Sequence, residues 1–294
     1  MQGRIKMRLK KCVFIFILAC LMASCSLVKT AYNNAPELAF WWLDDYFSFT
    51  QAQKISLMPA LQKLHQWHRQ DQLPIYITQL KDMQASLASE QISASQACEH
   101  IDAIKLSIRT IQTESIPIII EMAPLLSDKQ LNRFQTKLQK RAEKWKSEWW
   151  QETTKNQLKV RLEKTEDFAE KIYGDLNDAQ LTQLRQSIEQ SGINPAISYG
   201  EIERRNDDAF SILKALQNKA LTTDEKTQLI QAGLERLQKS PNQDYQTYAD
   251  AIAKNSCETI ANLHVTTSDK QKLHAKNWLQ NYIDQITALQ IKSQ

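Results

Sequence analysis

An all-α architecture follows from three features of the sequence. Glycine is scarce, with only Gly174, Gly192, Gly200 and Gly233 after the first 24 residues. Long windows are rich in Gln, Lys, Glu, Ala and Leu, which lose little freedom in a helix. Apolar positions recur at intervals of three and four rather than two. The expected form is an irregular multi-helix bundle or a stack of helical hairpins, with one long helix near residues 128–173.

The chain opens on a basic head, Arg4, Lys6, Arg8, Lys10 and Lys11, followed by an apolar run from Val13 to Leu21 and then Met22-Ala23-Ser24-Cys25. This is the order of an export signal. The 12 residues from Val13 to Ser24 fall short of the roughly 20 that cross a bilayer as a helix, so cleavage is expected over a retained anchor. The cysteine after the small pair resembles the signal of bacterial lipoproteins. That resemblance implies lipid, palmitate included, on Cys25 as the first mature residue. Ser26, where Asp would favour the inner membrane, implies by similarity to sorted lipoproteins an outer-membrane anchor with the domain facing the periplasm. The expected layout is a signal at 1–24, a lipidated tether at 25–35 and an all-helical domain at 36–294, with a possible sub-boundary near 174–200.

Losing the signal changes the charge balance. The whole chain carries 37 basic and 33 acidic residues, and the signal takes five basic ones, leaving 32 against 33, or −1. The sequence pI of 8.7 therefore reflects the export signal, and nucleic acid is not an expected partner. Cys12 and Cys20 leave with the signal, so Cys98 and Cys257 remain as a candidate disulfide in an exported chain, two buried thiols being the alternative.

Each element has a local reason. Pro36 suits a first helical turn and starts a helix bearing Leu38, Trp41, Trp42, Asp45 and Phe49. Its apolar side is too large to leave exposed, so packing within the chain is expected, with bilayer or partner contact as the alternative. Thr50 begins a helix to about Gln70, with Ile55, Met58, Leu61, Leu64, His65 and His68 on one side. Leu73-Pro74 breaks and restarts the chain, leading to Ile75, Ile77, Leu80, Met83 and Leu87. Ser93 starts the helix through Ile101, Ile104, Ile108 and Ile111. Pro117 and Pro124 interrupt the next stretch, where Ile118-Ile119-Ile120 reads as buried. From Asp128 to about Tyr173 the pattern is continuous and would span about 65–70 Å. Later helices run from Asn177 to about Gln190, Glu201 to Leu216, Thr222 or Thr223 to about Gln238, past Pro241 through Cys257, and Thr267 or Ser268 to about Leu289.

The starts share a signature. Thr50–Gln53, Ser93–Gln96, Ser127–Gln130, Asn177–Gln180 and Thr222–Glu225 are capping boxes by spacing, with Thr266–Asp269 a looser sixth.

Residues able to do chemistry are few. His65 and His68, at i,i+3, share a helix face and form a weak metal candidate, a third ligand coming from His100, Glu99 or Asp71. Structural histidines are the favoured reading. Glu201, Glu203, Arg204, Arg205, Asp207 and Asp208 are the densest mixed-charge run, which helical pairing explains without catalysis. No phosphate loop, nucleophile elbow or His-Glu-x-x-His pattern occurs, no cofactor is expected, and no catalytic residue is assigned.

Tyr32-Asn33-Asn34, Trp42-Leu43-Asp44-Asp45-Tyr46, Phe49-Thr50-Gln51-Ala52-Gln53 and Trp67-His68-Arg69-Gln70-Asp71-Gln72-Leu73-Pro74-Ile75-Tyr76 resemble the start of an uncharacterised family of proteobacterial lipoproteins. The likeness covers about residues 21–76, with Trp41 bulkier than the family pattern. It implies an exported, lipid-anchored helical protein and no particular activity. Trp41, Trp42, Asp45, Trp67, His68, Arg69, Pro74 and Tyr76 are thereby the candidate interaction or structural motif, with Trp67 packing, His68 and Arg69 bonding near a turn and Pro74 starting the return helix. The repeated Ser/Thr-x-x-Gln starts are more weakly similar to the small periplasmic chaperones of the Spy and CpxP kind.

Three functions are expected in this order. First is a structural or protein-interaction module of the envelope, with an aromatic patch such as Trp145, Trp149 and Trp150 meeting an envelope partner. Second is a chaperone-like binder with a concave apolar surface, and third a hydrolase using carboxylates or histidines.

Overall fold

Helices begin where their caps stand. The structure, a computed structural model, describes residues 28–150 and 153–290, so the signal, Cys25 and Ser26 lie outside the described residues. The described residues hold no strand; residues 28–33, expected as part of a tether, are helical, and the α-helices from there on are α1 Ala35–Phe47, α2 Gln51–Trp67, α3 Leu73–Leu87, α4 Ala94–Glu114, α5 Ile116–Met122, α6 Asp128–Trp149, α7 Thr154–Tyr173, α8 Asp178–Gln190, α9 Pro195–Ala215, α10 Thr223–Gln238, α11 Gln243–Val265 and α12 Asp269–Gln290. No described helix is long and apolar enough to cross a membrane.

All five capping boxes form in both directions. The sixth is corrected. Ser268 and Gln271 cap α12, the Ser268 amide donating to Gln271 Oε1 at 3.0 Å. Thr266 instead donates its hydroxyl to the Leu263 carbonyl at 2.8 Å and closes α11.

The boxes also join in pairs. Gln53 and Gln130 exchange amide hydrogen bonds at 3.1 and 2.8 Å, and their remaining amide hydrogens reach the carbonyls of Leu125 and Ser48. Gln180 and Gln271 repeat the arrangement at 3.1 and 2.9 Å, reaching Thr266 and Asp175. All four glutamines are buried. Each satisfies an orphan donor at its own helix end and locks that end to another, so distant helices are fixed in register without an unpaired buried amide.

Three sequence expectations need correction. The long helix over 128–173 is two helices. Trp150 leaves helical geometry (φ −99°, ψ 68°), and extended Thr153 caps α7 by accepting from the Asn156 amide. A hydroxyl cap beside a second β-branched residue, Thr154, favours a restart over continuation. The Trp149 ring consequently faces Arg161 and Lys164 at 5.9 and 5.1 Å. An unbroken helix would put residues twelve apart about 18 Å from one another.

Pro74 stands in the first turn of α3, as the sequence suggests, but α3 is not a return helix. A π-helical turn, His68–Gln72, carries α2 into α3 with helical backbone at Trp67, Gln72 and Leu73. Pro74 lacks an N–H and crowds the preceding turn, and widening that turn accommodates it.

On α1 the inward stripe is Phe40, Leu43 and Phe47. That leaves Trp41 and Trp42 63% and 57% exposed, against the expectation that they pack inside. The acids beside them are engaged: Asp44 accepts from the Phe49 amide at 2.7 Å, and Asp45 pairs with Lys137 at 2.5 Å.

Late helices pack on early ones, α12 along α3, α11 along α4 and α9 along α6. These pairings cross residues 174–200, where the sequence allows a sub-boundary. The Cys98 and Cys257 sulfurs are at bonding distance, with Cα atoms 5.3 Å apart, joining α4 to α11.

Candidate functional site

The motif residues from the amino-terminal third converge on His68. The Tyr32 hydroxyl lies 2.8 Å from His68 Nδ1, and the Tyr76 hydroxyl 3.2 Å from Nε2. Arg69 donates to Asn33 Oδ1 at 2.7 Å and sits over the Tyr32 ring at 5.1 Å. His65 meets the same ring edge-on at 4.7 Å. Burial, and then His65, hold the His68 pKa below its ordinary value. Burial pushes Tyr32 up to about 12 against the pull of Arg69, and it raises Tyr76 as well. The three groups are therefore neutral at pH 7, and imidazole serves as one donor and one acceptor between two phenols. This is a latch holding the helical stretch before α1, residues 28–34, to the α2–α3 rod.

His68 has both ring nitrogens engaged, which leaves no lone pair for a metal. Among the described residues no group of three or more His, Cys, Asp or Glu is placed to hold one. The metal candidate at His65 and His68 therefore lacks further ligands.

His264 makes a second buried contact. Its Nε2 lies 3.0 Å from the Ser89 carbonyl, which can only accept, so that nitrogen carries the proton and Nδ1 accepts from the Tyr173 hydroxyl at 3.1 Å. Burial lowers the pKa of His65 and His264 as it does that of His68. These rings stay neutral in the folded chain while the unfolded chain takes up protons as the pH falls through 6.5. Stability is accordingly full above that pH and declines below it until the folded-state pKa values are passed. Thermal melts are expected to give a lower Tm at pH 5.5 than at pH 7.5, with a smaller drop for His68→Asn. An unchanged or higher Tm at pH 5.5 would contradict the neutral assignment.

A broad apolar opening lies elsewhere. Helices α3, α4, α7, α11 and α12 enclose a cleft of about 570 Å³. Met83, Ile104, Phe168, Ile260, Trp278 and Tyr282 line it, and Ile104 and Phe168 are 47% and 59% exposed. Four of its polar side chains bond in pairs: Gln79 donates to Ser107 at 3.0 Å, and Ser86 bonds His100 at 2.8 Å. Tyr76 of the latch stands at the same cleft. Across α4 is a second groove of about 860 Å³, lined by Arg109, Arg161, Trp145 and Trp149 among others. Ile101 and Ile108 face both.

The mixed-charge run on α9 is structural. Glu201 is 3% exposed and binds Arg204 at 2.7 Å, Arg205 at 2.8 Å and the Ser240 hydroxyl at 2.8 Å. Burial raises its pKa, but the bonds from Arg204, Ser240 and Arg205 outweigh that and hold the carboxyl below the usual range. Asp208 pairs with Arg236 at 2.6 Å and Arg204 at 3.6 Å.

Of the motif read from sequence, His68, Arg69 and Tyr76 are brought together. Trp67 is half-buried and touches only the edge of that group, its ring 6.5 Å from His68. Pro74 is exposed on α3, and Trp41, Trp42 and Asp45 lie on α1. Sequence reasoning missed Phe168, Ile260 and Arg161. Their signal was an apolar stripe on α4, α7 and α11 whose uncovered side no local pattern marks.

A family model described as a family of unknown function (DUF6279) matches residues 45–246. That range holds His68, Arg69, Tyr76 and Cys98, and leaves out Tyr32 and Cys257. No curated protein and no solved structure matches the chain.

Proposed function

The chain belongs to the family DUF6279, and on that premise we propose that it is a lipid-anchored envelope protein that binds an apolar ligand or partner segment. The apolar cleft carries this reading. Few monomeric proteins leave a concave, uncharged surface open without using it. Support for the anchor is the signal ending at Cys25. The latch of Tyr32 and Asn33 on His68 and Arg69 would set the cleft's orientation relative to the lipid. Exposed Trp41 and Trp42 on α1 suit the bilayer boundary, where indole is favoured. Asp44 and Asp45, which would oppose that contact, are bound within the chain. An outer-membrane location with the body in the periplasm is part of the proposal.

A chaperone-like role is the second reading, favoured by the concavity of the cleft. A hydrolase is disfavoured, since Glu201 and His68 are saturated by structural partners.

Fractionation of cells labelled with palmitate tests the anchor. The parent chain is expected to take up label and sediment with outer membranes, and Cys25→Ser to stay unlabelled and soluble in the periplasm. Equal labelling and equal sedimentation of the two would end the reading.

A further inference from the structure

We infer that the cleft holds the hydrocarbon chain of an anionic amphiphile whose headgroup sits on Arg109 and Arg161. This rests on reading the cleft as the binding surface of the protein. Two observations meet at α4. On one side, no Asp, Glu, Lys or Arg lines the 570 Å³ cleft among the described residues. A polypeptide entering it would bring backbone N–H and C=O groups needing partners, and Gln79, Ser107, Ser86 and His100 of the wall are already bonded in pairs. A hydrocarbon has no such groups to satisfy. The volume falls within the roughly 300–1,000 Å³ of ordinary small-molecule sites.

On the other side, the 860 Å³ groove carries Lys105, Arg109, Arg161 and Arg205 against Asp102 and Asp250. Lys105 pairs with Asp102 at 2.8 Å, Arg205 pairs with Glu201 at 2.8 Å, and Asp250 accepts from Gln246. Arg109 and Arg161 have no ion pair among the described residues. Arg161 Nε is buried and donates no hydrogen bond among them. A shielded guanidinium N–H without an acceptor is costly, and phosphate or carboxylate oxygens match the guanidinium fork best. Ile101 and Ile108 face both spaces, so the two adjoin at α4, and the inferred molecule has its tail on the apolar side of α4 and its charge on the other.

The test uses the full chain carrying Cys25→Ser, which removes its own lipid as a competitor. Neutral N-phenylnaphthylamine reports occupancy of the cleft, and it is displaced with palmitoyl lysophosphatidylglycerol or with uncharged monopalmitoylglycerol below their micelle concentrations. The lysophospholipid is expected to displace the probe at about tenfold lower concentration than the glyceride. Phe168→Asp is expected to weaken both about tenfold or more, and Arg109→Gln with Arg161→Gln to bring the two ligands within about twofold while leaving the glyceride unchanged. Because that last result is a ratio within one protein, partial unfolding cannot mimic it. Probe binding without anionic preference would overturn the inference and leave the cleft reading standing. Absence of probe binding would overturn both, and so would binding indifferent to Phe168→Asp.

Discussion

Replacing Cys98 and Cys257 together with alanine is expected to lower the free energy of unfolding by up to about 5 kcal/mol, the entropy of leaving open a loop of that length. The two cysteines are 159 residues apart, so the bond closes more than half of the chain. Urea titration of the oxidised parent and the double variant measures the difference, and a shift in midpoint at unchanged slope would assign it to stability. The bond joins α4 and α11, two walls of the apolar cleft, with Ala97 and Ile101 on one and Ile260 on the other. Loss of the bond should therefore also weaken binding of N-phenylnaphthylamine. Identical midpoints with and without reductant would show that the bond contributes nothing to the fold.

Glu201→Ala is the second large effect, with an expected cost of about 3–5 kcal/mol. The carboxylate side chain is 2% exposed, while those of Arg204 and Arg205 are 23% and 34% exposed. Removing it leaves two guanidinium groups and the Ser240 hydroxyl short of their shared acceptor, between α9 and the start of α11. Glu201→Gln keeps the shape and one acceptor oxygen, so it should cost less. Urea midpoints at pH 7 separate the two. If alanine and glutamine cost the same, the charge on Glu201 is not what holds this junction.

The parts legible in advance were those governed by chemistry within a few residues. Five boxes from Thr50 to Thr222 were readable because a cap needs only one hydroxyl or amide side chain and a glutamine or glutamate three positions on. The break at Trp150 was less legible, since the surrounding charges suit a helix and only Thr153-Thr154 argues for a restart. His65 and His68 could be placed on one face. Their actual partner, Tyr32, lies 36 residues before His68, and no local pattern connects them. On α1 the sequence pattern pointed to the side bearing Leu38, Trp41 and Trp42, and packing buried Phe40 and Phe47 instead.

By itself the sequence determined the class of the fold, the positions where helices start and the two cysteines available for pairing. Each of these is set by residues in reach of one another along the chain, or by simple counting. Only the tertiary structure decided which glutamines cross-pair, that Glu201 is sealed among arginines, and that α3, α4, α7, α11 and α12 leave an apolar face open. Whether an apolar stripe is covered depends on the helices that pack beside it, and those come from segments nearly two hundred residues away, as α12 does from α3.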